Sequence, residues 1–114
     1  MLPKINRIKK KKDFEELFKD SKSIRSNLFI FKIRKNNLGL NRFGFVVSKK
    51  ISAKATVRNK TRRRLAESIK AKVTEIKPET DLIIIALPGI EKKEFLEIKE
   101  AINSALVKSG LINK

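Results

Sequence analysis

In three segments of the chain hydrophobic residues recur at steps of three and four, and this spacing predicts three helices. The predicted helices are Asp13–Lys19, Thr56 to about Ile76, and about Lys92 to Ser109. Pro78 is expected to prevent the second helix from continuing. Gly110 is suited to cap the third helix, because glycine readily adopts the left-handed conformation that follows many helices.

Other segments have a pattern typical of β-strands. Leu28–Lys35 and Arg42–Ser48 are rich in aromatic and β-branched residues. The turn residues Asn36–Gly39 separate them, so we expect these two strands to form a hairpin. Asp81–Leu87 has almost no polar residue, which predicts a central strand buried on both faces. The polar segment Ser21–Ser26 is a candidate short edge strand.

The element order α-β-β-β-α-β-α predicts a two-layer α/β sandwich. A chain of 114 residues fits one small domain, so we expect a single domain over residues 1–114. Residues 1–12 are rich in lysine and are interpreted as a mobile basic arm. Gly44, inside a predicted strand, indicates a bulge or the close approach of another group.

The composition excludes several classes of catalytic and metal-binding site. The chain has no cysteine, which excludes disulfides, thiol catalysis and thiolate metal sites. It has no histidine, the usual general base and the commonest metal ligand. Four glutamates recur at steps of three on the last predicted helix, as on a solvated acidic face: Glu91, Glu94, Glu97 and Glu100. With no nucleophile–base pair or phosphate-binding loop, a stand-alone enzyme is not favoured.

No segment of the sequence looks like a membrane anchor. The longest apolar run, Leu82–Leu87, is far shorter than the roughly 20 residues of a membrane-spanning helix. The first residues, MLPKINRIKKKK, have no apolar stretch after their charges, unlike a secretory signal. We therefore expect a cytoplasmic protein with no membrane partner.

The positive charge is unevenly distributed along the chain. The net charge is +17, and residues 1–70, with 22 basic and 5 acidic side chains, hold all of it. Residues 71–114 hold seven of each and are neutral. Such a one-sided excess repels itself unless a polyanion neutralises it, and nucleic acid is the favoured polyanion. An anionic membrane fits less well, because no basic amphipathic helix with a large aromatic face is present.

The excess is densest in Ser48–Glu67, where eight basic residues and no acid lie between Lys49 and Arg64. At about 100° per residue, Lys60, Arg63 and Arg64 share one side of the second helix, opposite its apolar face. This cationic ridge is suited to phosphate, which arginine can bind through two parallel hydrogen bonds. DNA stays possible at this point, although no helix-turn-helix or zinc-finger pattern is present.

Aromatic residues beside this basic segment are the second indication of RNA, because single-stranded RNA stacks its bases on aromatic platforms. For Phe14, Phe18 and Phe31, a stacking role and ordinary core packing are about equally favoured. For four others the core is the preferred interpretation: Phe29, Phe43, Phe45 and Phe95.

Two stretches, Arg42–Lys50 (RFGFVVSKK) and Ala55–Glu67 (ATVRNKTRRRLAE), resemble a known signature. It is that of the protein subunit of bacterial ribonuclease P, roughly R-x-G-x-x-V-S-K-K followed by A-x-x-R-N-R-x-K-R-x-x-R-E. The Asp13–Phe18 segment after a basic arm and the buried strand Asp81–Ile85 match as well, so the resemblance covers nearly the whole chain. The chain departs from the signature in three places: Lys60 replaces an arginine, Ala66 replaces a later arginine, and Arg64 occupies a position more often apolar.

The resemblance implies a four-stranded mixed sheet of the ribosomal protein S5 domain 2-like kind, with a left-handed crossover through the helix that contains Arg58. It also implies an activity: removal of the 5′ leader from precursor tRNA. The RNA subunit carries out that reaction with Mg²⁺, and the protein assists by binding both the ribonuclease P RNA and the single-stranded leader. The resemblance implies no catalytic residue, bound metal or small-molecule substrate in the protein itself.

The same resemblance assigns two sets of residues. The RNA-binding set is Ser48, Lys49, Lys50, Lys54, Arg58, Asn59, Lys60, Arg62, Arg63 and Arg64. The cleft expected to hold the leader is assigned Phe14, Phe18, Phe31 and Val46. A ribosomal or ribosome-assembly protein that coats folded rRNA is the alternative, and a nuclease active without RNA is a third and weaker one.

Overall fold

Four strands form one mixed sheet in the computed structural model, which describes residues 7–8, 11–19 and 21–112. In chain order the elements are α1 (Lys11–Lys19), β1 (Lys22–Arg25), β2 (Phe29–Lys35), β3 (Arg42–Val46), α2 (Ala55–Lys70), β4 (Thr80–Ala86) and α3 (Phe95–Lys108), with a short 3₁₀ turn at Ile90–Lys92. This order confirms the predicted α-β-β-β-α-β-α arrangement, including the candidate edge strand. The predicted bounds of the strands differ from these by one or two residues.

The sheet order is β1-β2-β4-β3, so the predicted hairpin between β2 and β3 is wrong. β4 lies between them, antiparallel to β2 and parallel to β3. The turn chemistry at Asn36–Gly39 is confirmed by the positive φ angles of Asn37 and Gly39, 59° and 76°. After this turn, β3 pairs with the edge of β4 that lies away from β2 and does not pair with β2 itself. The apolar β4 then takes the central position that its composition predicted, with Leu82, Ile83 and Ile84 fully buried.

The helices cover different faces of the sheet. Alternate residues of the strands, such as Phe29, Phe43 and Leu82, pack with α2 and α3 in the main core. On the opposite face, Leu17 of α1 packs with Ile83 and Ile8 in a second, smaller core. One face is therefore fully covered, whereas α1 covers only part of the other.

Two predicted helix bounds need correction. α2 ends at Lys70, not near Ile76, and residues 71–75 continue as turns. Val73 and Ile76 keep the expected spacing because they reach the main core from those turns. α3 begins at Phe95, whose side chain is 36% exposed and lies under the Lys99 ammonium at 5.6 Å. The core assignment of Phe95 is therefore wrong, since its ring lies at the surface against Lys99, whereas Ile98 of the same turn is buried.

The predicted mobile arm is attached to the sheet where the structure describes it. The backbone N–H of Ile8 donates to the Phe43 carbonyl at 2.8 Å, and Arg7 pairs with Phe43 in a parallel bridge. Lys11 and Lys12 already belong to α1. The mobility of residues 1–12 stays a prediction, and residues 1–6 and 9–10 lie outside the described part of the chain.

A buried carboxylate fixes the end of the sheet nearest α1. Asp81 is 0% exposed and accepts hydrogen bonds from Arg42 Nε at 2.9 Å and Arg42 Nη2 at 2.7 Å. It also accepts one from Asn36 Nδ2 at 2.8 Å. Arg34 lies 3.7 Å from the same carboxylate and 3.5 Å from Glu16 of α1. This network connects β2, β3, β4 and α1 at one end of the domain.

Candidate nucleic-acid interface

α2 packs its apolar side against the sheet and α3, so that its basic side is exposed. Five residues are buried against the sheet and α3: Thr61, Leu65, Ala66, Ser68 and Ile69. Lys60 and Arg63 lie on the opposite, exposed side. The first turn of α2 has no acidic residue, so nothing in that turn neutralises the positive end of the helix dipole. The exposed side of α2 thus attracts anions, as the spacing predicted.

Arg64 lies at the border of this exposed side, next to the start of α3. Its Nη1 donates to the Lys93 carbonyl at 3.0 Å, just before α3, and its side chain is half-buried. Of the predicted ridge, Lys60 and Arg63 are exposed, whereas the Arg64 guanidinium is held by the Lys93 carbonyl. Arg64 instead connects α2 to the start of α3, and its RNA contact stays a prediction.

Arg58 is held against the connector that precedes α2. Its Nη1 donates to the carbonyls of Ser52 and Ala53, both at 2.9 Å. Two carbonyls that would otherwise face solvent are satisfied in this way, and the guanidinium keeps further N–H donors for an external anion. Sequence reasoning identified the charge of Arg58 but not this role in shaping the connector.

Arg62 and Asn59 form a pair on the first turns of α2, in which Arg62 Nη1 donates to Asn59 Oδ1 at 2.8 Å. Asn59 is exposed and Arg62 half-buried. The hydrogen bond orients the Arg62 guanidinium toward the edge of β3, where it lines a small pocket. The two residues therefore act as one unit at the edge of the sheet.

The connector presents the remaining predicted RNA contacts. Ile51 is only 5% exposed and anchors the connector in the main core. The Ile51 N–H donates to the Ser48 carbonyl at 3.0 Å, which closes a tight turn. Four predicted contacts on either side of this anchor are exposed: Ser48, Lys49, Lys50 and Lys54. The anchor thus holds a cluster of cations that continues into α2.

Phe31 lies on the wrong face for the predicted leader cleft. It is 0% exposed and stacks on Phe29 in the main core, with ring centroids 5.0 Å apart. Phe14, Phe18 and Val46 do lie on the α1 side, where Phe18 is 45% exposed. The assignment of Phe31 to the cleft is therefore wrong, because strand alternation places it under α2 and α3.

Sequence reasoning missed two residues of this face. Ile30, Ile85 and Val46 are paired in register across β2, β4 and β3, and all three are half-buried. They form an apolar row beside α1. The signal was present in β2, because Ile30 alternates with the core residues Phe29 and Phe31.

No group of three acidic residues in the described part of the chain is arranged to hold a metal ion. Within the same described ranges, no helix is long and apolar enough to cross a membrane.

Comparison with known proteins identifies the family. Residues 2–110 match the family model described as Ribonuclease P. The chain belongs to this family. It is 43% identical over 100 residues to the ribonuclease P protein component of Legionella pneumophila strain Corby, which covers 88% of the chain and 85% of that protein. It is 37% identical over 111 residues to the ribonuclease P protein component of Thermoanaerobacter sp. strain X514. That alignment covers 97% of this chain and 95% of the relative.

Solved ribonuclease P proteins have the same fold. The Staphylococcus aureus RNase P protein, 29% identical, superposes with a TM-score of 0.87 and covers 95% of this chain and 98% of its own. The Thermotoga maritima RNase P protein, 29% identical, superposes with a TM-score of 0.78 and covers 87% of this chain and 94% of its own. The fold predicted from the resemblance is thereby confirmed. The handedness of the crossover from β3 through α2 to β4 stays a prediction.

The departures from the ribonuclease P signature have structural consequences in α2. Ala66, in place of an arginine, is 6% exposed and packs on the inner side of the helix. Arg64, at a position more often apolar, reaches the Lys93 carbonyl instead of packing inward. The charge absent at position 66 is thus not restored on the exposed side of α2 by Arg64.

Proposed function

We propose that this chain assists the catalytic RNA of ribonuclease P during removal of the 5′ leader from precursor tRNA. RNA binding and leader processing are the function of the family. The proposal adds that the RNA subunit carries the chemistry with Mg²⁺ and that the protein holds both RNAs. It also places the protein in the cytoplasm, with its substrate.

The continuous basic surface from the connector into α2 carries this proposal. Lys49, Lys50, Lys60 and Arg63 are all exposed, and no acid interrupts the sequence until Glu67. Neutralising phosphates lowers the repulsion between two RNAs and so strengthens their association. It thereby lowers the Mg²⁺ concentration that the ribonucleoprotein requires, because fewer counter-ions are needed.

Reconstitution tests this role directly. The chain is mixed with a bacterial ribonuclease P RNA at low Mg²⁺, and leader removal is followed across a salt titration. If about six to eight phosphates are contacted, affinity for the RNA falls with a log–log slope of about −0.7 to −0.9 per contact. An absence of stimulation at every salt concentration would overturn the proposal, and cleavage by the protein alone would overturn the assignment of chemistry to RNA.

For the leader we propose the face bounded by α1 and the apolar row of Ile30, Ile85 and Val46. Phe14 of α1 packs in one cluster with Val46 and Ile85 of this row, and Phe18, one turn later, is exposed. Apolar or aromatic platforms next to cations bind unpaired bases. Phe18→Ala is expected to weaken binding of precursor tRNA by roughly tenfold and to leave mature tRNA binding unchanged. An equal loss for both RNAs would show that Phe18 does not contact the leader.

A further inference from the structure

A small pocket lies at the outer edge of β3, between the basic side of α2 and α1. Its volume is about 200 Å³, and its aromatic walls are Phe14, Phe43 and Phe45. Arg7 and Arg62 line it from the N-terminal segment and from α2. We propose that this pocket binds one unpaired nucleotide, with the base against the aromatic walls and a phosphate at the Arg62 guanidinium.

The pocket exists because elements from both faces of the sheet meet at this edge. Phe43 and Phe45 pack toward the main core, whereas Phe14 belongs to the smaller core under α1. The N-terminal segment covers the edge at Phe43 through the Ile8 hydrogen bond. Beyond that point, Arg62 and the side chain of Phe45 border the opening.

Gly44 allows the floor of the pocket to form. A Cβ atom at this position would lie 2.9 Å from Cε1 and Cζ of the Phe14 ring, closer than side-chain atoms approach each other. Glycine therefore lets the Phe14 ring rest directly on the backbone of β3. The close approach that a glycine inside this strand predicted is thus made by an aromatic ring, and that ring walls the pocket.

The lining favours a nucleotide over other small ligands. The Arg62 guanidinium lines the pocket and is hydrogen-bonded to the neutral Asn59 amide, and no carboxylate is among the described lining residues, so the site favours an anion. The remaining walls are aromatic or apolar, which suits a planar base. The volume of about 200 Å³ is below the range of about 300–1,000 Å³ typical of sites for drug-sized ligands. A single base matches this size, whereas a duplex does not.

The position of Arg62 connects the pocket to the proposed RNA surface. Its hydrogen bond to Asn59 directs the guanidinium from α2 toward β3. An RNA lying on α2 could therefore place one unpaired nucleotide at the edge of the sheet without leaving the basic surface. The inference rests on the proposed RNA partner, and the nucleotide can come from the ribonuclease P RNA or from the leader.

Nuclear magnetic resonance titration of the full chain tests whether the site recognises a base. The probes are adenosine 5′-monophosphate and ribose 5-phosphate, which share the phosphate but differ in the base. Adenosine 5′-monophosphate is expected to shift the amide signals of Gly44 and Phe45 with an affinity at least about tenfold higher than that of ribose 5-phosphate. Equal affinities, or no saturable shift at these amides, would overturn the proposal.

Matched variants locate the binding energy. Arg62→Gln is expected to weaken binding of adenosine 5′-monophosphate about tenfold, because a charged hydrogen bond to phosphate is lost. Lys70→Gln removes an exposed cation from the same helix, outside the pocket, and is expected to change the affinity less than about twofold. If both variants weaken binding equally, the nucleotide is held by general surface charge and the pocket is not the site.

Cross-linking then identifies the source of the nucleotide. A benzophenone amino acid replaces the half-buried aromatic Phe45, in protein that still stimulates leader removal. Cross-links to ribonuclease P RNA without substrate would assign the pocket to the RNA subunit, and cross-links that require precursor tRNA would assign it to the leader. Stimulation of leader removal with no cross-link to either RNA would refute the pocket while the proposed function stands.

Discussion

Phe18 and Phe31 were both predicted to line the leader cleft, but their surroundings in the structure differ. Phe31 is fully buried under α2 and α3, whereas Phe18 is 45% exposed beside the apolar row. Phe31→Ala is expected to lower the free energy of unfolding by about 3–5 kcal/mol, because it leaves a cavity in the main core. Phe18→Ala is expected to lower it by less than about 1 kcal/mol. Urea unfolding of the two variants measures this difference, and similar losses would contradict the assignment of faces.

Asp81 is a fully buried carboxylate that binds side chains from β3 and from the end of β2. Replacing it with alanine would remove the buried carboxylate that binds Arg42, whose side chain is 17% exposed, through two hydrogen bonds. Removing one partner of a buried pair typically costs about 3–5 kcal/mol, and we expect the lower end because Arg42 keeps some contact with water. Glu75→Gln is the control, since its 3.5 Å contact with Lys72 lies on the surface and contributes about 1 kcal/mol or less. Equal losses in urea unfolding would show that the Asp81 network does not hold the sheet end.

Sequence reasoning could identify residue types at this scale but not all their partners. Alternation along β2 grouped Phe29 with Phe31, yet it does not say which face α2 and α3 cover. Likewise, the charge of Arg64 was evident, but the Lys93 carbonyl that binds it comes from a distant part of the chain. Local patterns predict orientation relative to a residue's own element, whereas these outcomes depend on how elements pack together.

At the scale of secondary-structure elements, the sequence predicted which helices and strands are present. It did not predict which strands lie next to each other in the sheet. The apolar composition of β4 correctly predicted a central strand. The turn residues Asn36–Gly39 correctly predicted a reversal, but a reversal is compatible with pairing to β2 or with passing beyond it. Pairing of β3 with β4 joins residues far apart in sequence, for example Phe43 and Leu82, and no short-range signal carries it. The fold class therefore followed from the sequence, and the sheet order did not.

Arg58 holds the second half of the connector before α2. Arg58→Gln removes the charged hydrogen bonds to the Ser52 and Ala53 carbonyls. We expect hydrogen exchange at the Lys54 amide, whose N–H donates to Ser52 Oγ at 3.1 Å, to become about tenfold faster, which corresponds to about 1.4 kcal/mol of lost local stability. Exchange in the middle of β4 should not change.

Arg63→Gln provides the matched control for this element. Arg63 is exposed on the same helix, so its replacement removes one positive charge without altering the connector. If Arg63→Gln accelerated exchange at the Lys54 amide as much as Arg58→Gln did, lost charge would explain the result and the two hydrogen bonds would not.

At the scale of the molecule, charge and stability are opposed. The net charge is +17, all of it carried by the first 70 residues, and in the fold the connector and α2 bring many of these cations onto one surface. Their mutual repulsion favours the unfolded chain, in which the charges are farther apart. Any polyanion that binds the folded surface removes this repulsion and stabilises the fold by linkage. The basic surface that suits the protein to RNA therefore also makes its stability depend on anions.

This linkage predicts that sulfate raises the melting temperature more than chloride at equal ionic strength. At sulfate concentrations about ten times the dissociation constant, linkage adds about 1.4 kcal/mol. For a domain of this size, that corresponds to a rise of roughly 5–10 °C. Calorimetry in sodium sulfate and sodium chloride measures the difference, and equal responses to the two salts would contradict anion binding.

Sulfate also stabilises proteins by being excluded from their surfaces, so a variant must separate the two effects. Replacing Lys49, Lys60 and Arg63 together with glutamine removes exposed cations of the basic surface and should abolish most of the binding contribution while exclusion persists. The control variant carries glutamine at three exposed lysines of the neutral half, Lys77, Lys92 and Lys93, and should keep the full response. If both triple variants respond to sulfate as the unmodified protein does, exclusion alone explains the stabilisation, and the basic surface holds no anion in the absence of RNA.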